Sequence, residues 1–253
     1  MNVAVCVKQI PDPANPGKLD PSTNTLVRDG KLILDDSDAY GVEMALQLVD
    51  KAGGGEVTLV SMAPNNEVSG LRTALAMGAH KAVLVSDDAL KGADALTTAK
   101  ILAAALKRVG ADLVLAATES TDGYTGTTPV QVAELLDLPS VTFAKHIEVD
   151  GSTVKVNRQT EAGSDDVECP LPCVVTVTAG VVEPRYPSFK GIMAAKGKPV
   201  EELKATDLGV EVAVAQQVTA VAPAEERQAG EVVVDEGDAH ERIVAFLEQL
   251  KVI

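Results

Sequence analysis

The sequence predicts an α/β fold: a mostly parallel sheet with helices on both faces, added antiparallel strands, and a C-terminal arm. Three observations carry this. Short β-branched apolar runs alternate with amphipathic runs at helical spacing through the first half of the chain, the pattern of βαβ units. After Pro139 the helical period gives way to successive β-rich runs with hairpin turns. A closing amphipathic stretch then follows a linker.

The elements follow in order. Asn2–Gln9 (NVAVCVKQ) is apolar and β-branched, suiting a buried parallel strand. Ile10–Gly30, rich in Pro, Asn and Gly, is a long loop or small excursion. Asp35, Asp36, Ser37 and Asp38 precede a helix in which Val42, Ala45, Leu46 and Val49 recur at helical spacing; acidic residues at its start complement the helix dipole. The cycle repeats: strand Glu56–Met62, helix Val68–Met77, strand Lys81–Ser86, helix Ala93–Val109, strand Asp112–Thr118, and a helix from Pro129 to Leu136. Such alternation implies crossovers that build a parallel sheet with both faces covered. Val141–Val149, Ser152–Arg158 and Val167–Val177 read as antiparallel additions, with a turn at Asp150-Gly151. Residues 1–208 form the α/β domain, and 209–253 a linker, a short strand Glu231–Val234 and a helix Ala239–Leu250. The apolar face of that helix (Ile243, Val244, Phe246, Leu247, Leu250) needs a surface to bury against, and another chain is the favoured one.

Composition narrows the function. At 46% hydrophobic the chain buries a real core, and at 2% aromatic that core is aliphatic. A net charge of −15 without a basic cluster excludes a nucleic-acid binder. Cys6, Cys169 and Cys173 lack C-x-x-C spacing and lie in apolar runs, so they read as small core residues in a reducing cytoplasm. His80, His146 and His240 are scattered, which leaves no metal-ligand spacing, and no apolar run approaches a membrane span. There is no G-x-G-x-x-G after the first strand, no P-loop and no G-x-S-x-G elbow.

Ligands in open parallel sheets bind beyond the carboxyl ends of the strands at a topological switch point. Three segments fall at such ends: Cys6–Gln9, Met62–Asn66 and Thr118–Thr128. In the last (TESTDGYTGTT) two glycines let backbone amides approach a ligand, with Thr128 as N-cap and Pro129 first in the helix. A free helix start is an anion site. The competing reading is an ordinary capped turn, and the loop's length, Gly/Thr content and position favour the phosphate. For Asp35, Asp36 and Asp38, a charged helix start is a commoner explanation than acid–base work or a metal. Glu183–Lys196 (EPRYPSFKGIMAAK) is the second conspicuous segment: a polar, Pro-stiffened loop holding Tyr186, Phe189, Ile192 and Met193. Either Phe189 and Met193 tuck into the local core, or the loop is a contact patch of the aromatic, Met and Arg type.

VKQIPD (Val7–Asp12), LRTALAMGAHKA (Leu71–Ala82), ATESTDGYTG (Ala117–Gly126) and EPRYPSFKGIMAAK (Glu183–Lys196) together resemble the beta subunit of electron-transferring flavoproteins, also called FixA-type. The resemblance runs from the first strand to the last helix. It implies an adenine nucleotide alpha hydrolase-like domain paired with an alpha subunit that holds most of a shared FAD, and a structural AMP on this chain. It carries AMP contacts onto Cys6, onto Asp35, Asp36, Ser37 and Asp38, onto Met62, and along Ala117, Thr118, Glu119, Ser120, Thr121, Asp122, Gly123, Tyr124, Thr125, Gly126, Thr127 and Thr128. The phosphate falls by Gly123, Gly126, Thr127 and Thr128. Glu183–Met193 matches the family's recognition loop, with Arg185, Tyr186, Phe189, Ile192 and Met193 facing partners and Phe189 as anchor. The closing segment matches the arm that wraps onto the alpha subunit.

The implied role is that of an electron carrier, not an enzyme: electrons come from flavin dehydrogenases, such as acyl-CoA dehydrogenases, and leave to a quinone reductase or similar acceptor. Phe189 stands where relatives often have Leu, and Gln159 where some have a Glu that orients the flavin domain. The chain lacks the D-G-D-T-A-Q run of relatives that hold a second FAD and bifurcate electrons, which favours AMP. Competing readings are a stand-alone ATP/AMP-binding module of the universal-stress type and an enzyme that activates a substrate with ATP.

Overall fold

A computed structural model describes residues 1–253 except 16, 64, 223, 225–229 and 231. The described chain forms two compact units, Met1–Thr219 and Ala220–Ile253. In chain order the first holds β1 (Asn2–Cys6), β2 (Gln9–Pro11), β3 (Leu32–Leu34), α1 (Asp36–Lys51), β4 (Glu56–Met62), α2 (Ser69–Met77), β5 (Lys81–Val85), α3 (Ala95–Val109) and β6 (Leu113–Ala117). It continues with α4 (Thr128–Leu135), β7 (Ser140–Asp150), β8 (Thr153–Thr160), β9 (Gly163–Pro170), β10 (Cys173–Val177), α5 (Phe189–Ala195) and β11 (Val200–Leu203). The second unit holds α6 (Ala239–Gln249).

One nine-stranded sheet, ordered β11-β5-β4-β1-β6-β10-β7-β8-β9, is parallel from β11 to β7 and antiparallel over β8 and β9. This is the predicted fold class. Because β-strand side chains alternate, each inner strand feeds two cores. Val3, Val5, Val57, Leu59 and Leu115 pack with the inner faces of α1 and α2, while Ala4, Val60, Val83 and Val114 pack with Ile101, Leu106 and Val132 of α3 and α4. Leu59, Leu113 and Leu115 are fully buried, each contributing about 1.5–3 kcal/mol over an exposed position. Helix ends follow local chemistry. The carboxylates of Asp35 and Asp94 cap α1 and α3 by accepting from Ser37 and Thr97, and Gly110 closes α3 in the left-handed region.

Several expectations are corrected. The run Asn2–Gln9 is not one strand: it leaves the main sheet after Cys6, and Gln9–Pro11 pairs with β3 in a two-stranded antiparallel sheet. The run Val167–Val177 is two strands, broken at Leu171-Pro172. Its first half lies antiparallel at the sheet edge, whereas Cys173–Val177 is buried between β6 and β7 and parallel to both. β11, missed in the sequence, adds the opposite edge beside β5. The expected strand 231–234 does not form over Val232–Val234, and residue 231 lies outside the described residues.

The chain also stays attached to the first unit past Leu208. Val210 and Val212 pack on the α3 core, Thr97 Oγ1 donates to the Ala213 carbonyl (3.0 Å), and Asp94 accepts from the amides of Ala215 and Gln216 (2.8 and 3.1 Å). In the second unit α6 buries none of its side chains.

The seat of α2 against the small hairpin gives a sharp stability test. A Cβ on Gly70 would lie 2.8 Å from both Gln9 Cγ and the Leu34 backbone nitrogen. Gly70→Ala is therefore expected to cost about 1–3 kcal/mol in chemical denaturation, despite alanine's better helix propensity. An unchanged or raised midpoint would show that the hairpin is not seated there.

Candidate functional site

The chain runs from β1 to β4 to β5 on one side of β1, then crosses to β6 on its other side. The switch point therefore lies beyond the carboxyl ends of β1 and β6, at Cys6 and Ala117. Met62 ends the next strand along, so these predicted residues share one sheet edge.

The start of α1 closes this point from one face. Asp35, fully buried, accepts at Oδ1 from the Ser37 amide (3.0 Å) and at Oδ2 from the amide and hydroxyl of Thr121 (2.8 and 3.1 Å). Asp38, also buried, accepts at Oδ2 from the Lys8 amide (2.6 Å). Two carboxylates of one helical turn thus tie the exits of β1 and β6 to each other. Burial pushes the Asp38 carboxyl well up and the neighbouring Asp35 charge adds to this, against the Lys8 amide, the Lys8 charge and the Ala117 amide. Burial also pushes the Cys6 thiol up to about 12, with Asp38 adding to the shift, which makes it an unreactive neighbour. Asp36 is exposed and Ser37 half-buried at the first helical positions.

The loop after β6 is built on Asp122. Its carboxylate, 6% exposed, takes Lys8 Nζ at 2.6 Å on one oxygen and Arg28 on the other, while Lys8 Nζ also reaches Ser120 Oγ at 3.1 Å. Burial alone would raise this carboxyl; the charges and hydrogen bonds of Lys8 and Arg28 outweigh it and hold it below the usual range. The Tyr124 amide donates to the Ser120 carbonyl (3.0 Å), closing a turn that leaves exposed Tyr124 at φ 47° and Gly126 at φ 68°. Thr118 Oγ1 lies 3.0 Å from Thr176 Oγ1, anchoring the loop to β10. Thr127, not Thr128, is the N-cap of α4, and Pro129 is the second helical residue. Among the described residues, the amides of Gly126, Thr127, Thr128 and Val130 find no acceptor, the condition for an anion seat at a helix start. Glu119 is exposed, with an oxygen near Gly126. A small apolar cavity of about 30 Å³ lies under this helix start, lined by Cys6, Thr128, Pro129 and Val132 among others. A much larger concavity of about 660 Å³ opens at the opposite, amino ends of the strands around Met1, Asp112 and Pro172, away from every predicted site residue.

The segment around Tyr186 is not a plain loop. Ser188 caps the seven-residue helix α5, its Oγ accepting from the Gly191 amide (3.1 Å). Tyr186 is 92% exposed, Phe189 81%, and Ile192 and Met193 about half, so Phe189 and Met193 do not tuck into the core. Arg185, though exposed, is bound to its own chain: Nε and Nη2 donate to the buried Glu43 carboxylate at 2.6 and 3.0 Å, and Gln47 donates to it as well (2.9 Å). Burial alone would raise the Glu43 carboxyl; the Arg185 and Gln47 hydrogen bonds and the Arg185 charge outweigh it and hold it low.

Lys8, Arg28 and Glu43 were missed in the sequence. Lys8 carried a signal, standing two residues past the carboxyl end of β1. Glu43 carried a fainter one, three residues before Leu46 on the edge of the apolar stripe. Arg28 gave none, because only the folded excursion brings it to Asp122.

A parallel sheet whose polar loops gather at one switch point, beside an exposed apolar helix, defines an open-sheet α/β protein with a candidate crevice and a candidate contact surface. Residues 23–208 match the model of the electron transfer flavoprotein domain. The chain is 39% identical over 264 residues to the electron transfer flavoprotein subunit beta of Mycobacterium leprae (strain TN), covering 100% of this chain and 99% of that protein. It is 40% identical over 213 residues to the subunit of the same name from Thermoanaerobacterium thermosaccharolyticum, covering 83% and 81% of the two chains. It is also 40% identical over 212 residues to the caffeyl-CoA reductase-Etf complex subunit CarD of Acetobacterium woodii, covering 83% and 80%. The chain therefore belongs to the beta-subunit family of electron transfer flavoproteins. Among the described residues no helix is long and apolar enough to cross a membrane.

Asp122 makes the loop's integrity pH-dependent. Its folded pKa is depressed, so its contribution is present above the unfolded value near ~3.9 and is lost as pH falls through the folded value. Asp122→Asn is expected to cost about 1–2 kcal/mol at neutral pH, because Lys8 and Arg28 remain partly in water. The deficit should shrink in denaturation midpoints taken at falling pH. A deficit constant down to strongly acidic pH would show that the carboxylate charge is not what holds the loop.

Proposed function

We propose that the chain is the beta subunit of a heterodimeric electron carrier. It docks flavin dehydrogenases, of which acyl-CoA dehydrogenases of fatty-acid oxidation are the leading class, and passes their electrons to a quinone-reductase-type acceptor. The observation that carries this reading is the Tyr186–Met193 segment, whose apolar side chains stand in solvent on a capped helix. Monomeric surfaces rarely retain such a cluster without a partner. Phe189→Ala is expected to slow electron transfer from a dehydrogenase about tenfold or more while flavin content and subunit assembly stay intact. Loss of flavin instead would assign Phe189 to the cofactor environment.

Of the arm, residues 209–253, the part beyond Thr219 is assigned to the alpha subunit, since the chain up to there belongs to the first unit. The exposed Ile243, Val244, Phe246 and Leu250 of α6 support this, since a helix of eleven residues needs a surface to stay formed. The FAD, shared with and mainly held by that subunit, supplies the redox chemistry; this chain contributes docking, a rigid base and part of the flavin surroundings, and acts in the cytoplasm as a carrier subunit.

AMP is the proposed resident of the switch point. The free amides of Gly126, Thr127 and Thr128 suit its phosphate, Lys8 Nζ holds Ser120 and Asp122 of the same loop close to Gly123, and Asp35 and Asp38 hold the surrounding walls. Thr127→Glu is expected to expel the nucleotide by like-charge repulsion; retained AMP would refute this placement. The similarity to the caffeyl-CoA reductase-Etf complex subunit supports one second reading, a further FAD in place of AMP. Release from the purified heterodimer decides: one FAD with one AMP supports the simple carrier, and two FAD support bifurcation.

A further inference from the structure

Helix α5 is too short to stand alone and buries only Ala195, yet it presents Phe189, Ile192 and Met193 in a defined arrangement. Polar clamps at its two ends account for this. At the leading end Arg185 is bound bidentately to the buried Glu43 of α1, and its backbone amide points at the same carboxylate (3.4 Å). At the trailing end Arg72 of α2 donates from one nitrogen to the carbonyls of Ala195 and Lys198 (2.7 and 2.9 Å). The clamp is reciprocal: Lys198 Nζ donates to the carbonyls of Leu75 and Ala79 at the end of α2 (2.9 and 2.6 Å). Between the clamps Gly191 approaches α2 so closely that a Cβ there would lie 2.3 Å from the Ala76 carbonyl oxygen. Each short helix thus has carbonyls at its end satisfied by a cation attached to the other. None of these bonds uses the apolar side chains, which remain free.

We infer that Glu43 and Arg72 are positioning residues for the Tyr186–Met193 surface, fixing it before a partner arrives so that docking does not have to order it. This rests on the docking role proposed above. A segment anchored only by its own apolar side chains would have to hide them; anchorage through carboxylate and backbone carbonyls leaves them available.

The test uses the purified heterodimer with its cofactors, comparing wild type, Arg72→Met, Arg72→Lys, Glu43→Gln and Phe189→Ala. Backbone amide exchange over Tyr186–Ala195 and the Kd for an acyl-CoA dehydrogenase that reduces the wild type are the two readouts. Arg72→Met and Glu43→Gln are expected to speed exchange in that segment, with the core strands unchanged, and to weaken binding about tenfold, the size of one lost charged hydrogen bond. Arg72→Lys, which keeps a cation for the carbonyls, should recover most of both. Phe189→Ala should weaken binding without altering exchange. Unchanged exchange in both clamp variants overturns the positioning role whatever the segment binds. Faster exchange with wild-type Kd, while Phe189→Ala still binds weakly, leaves docking in place and overturns pre-arrangement. If Phe189→Ala also binds like wild type, the docking reading fails and the inference with it.

Discussion

Helix α1 carries three buried carboxylates, and each fastens a different distant segment to it: Asp38 the exit of β1, Asp35 the loop after β6, and Glu43 the entry to α5. A buried charge is tolerated only when its lone pairs are filled. Here they are filled by chain that would otherwise be loose, the backbone amides of Lys8 and Thr121 and the guanidinium of Arg185. The helix itself is held by aliphatic burial of Val42, Ala45, Leu48 and Val49 against β1, β4 and β6. Apolar packing therefore sets where the helix lies, and its acids set where three loops lie. One helix, about two turns long between Asp35 and Glu43, thus carries the bonds to both the crevice and the exposed surface.

This division explains how a strongly acidic chain keeps an anion-suited loop. Three acids beside the loop are engaged, Asp35 and Asp38 by amides and Asp122 by Lys8 and Arg28, while Glu119 stays exposed with an oxygen near Gly126. What reaches the helix start of α4 is then the backbone, whose unpaired amides carry the partial positive charge of the dipole. Burial and the Asp35 charge push the Asp38 carboxyl up, against the Lys8 amide and charge and the Ala117 amide.

The fold was legible where one period governed a segment. Glu56–Met62 was read to the residue, and α3 and α4 within two, because apolar spacing there reports burial directly. It failed where neighbours decide the outcome. Cys173–Val177 is as apolar as any central strand, but its parallel seat between β6 and β7 depends on strand order, which no local pattern encodes. Val200–Leu203 is only four residues long and, as Val-Glu-Glu-Leu, does not alternate, and Phe189–Ala195 has a helical cap at Ser188 but a neighbourhood of prolines and lysines that reads as loop. Within the site, the acids at the start of α1 and the Gly/Thr loop were visible by composition and Lys8 by its place after β1, while Arg28 required the folded excursion of residues 10–30. The clamps on α5 were invisible because Arg72 and Lys198 act on backbone carbonyls, which carry no sequence signature.

The sheet edges show why the exposed aromatic helix reads as selective and not merely sticky. An open sheet ends in unpaired backbone groups that recruit other chains without discrimination. One edge here is β9, eight residues long, with Asp165, Asp166 and Glu168 exposed along it; the other is β11, only four residues, with Glu201 and Glu202 outward. Length on one side and brevity on the other are both offset by acidic side chains that oppose strand addition. With the edges guarded in this way, the most exposed large apolar side chains of the first unit are Tyr186 and Phe189. Adhesion through backbone is suppressed and adhesion through two held aromatic rings is kept. Under the docking role proposed above, a partner brings a pocket shaped for the Phe189 ring, and discrimination lies in that side chain's bulk more than in the chain's overall charge.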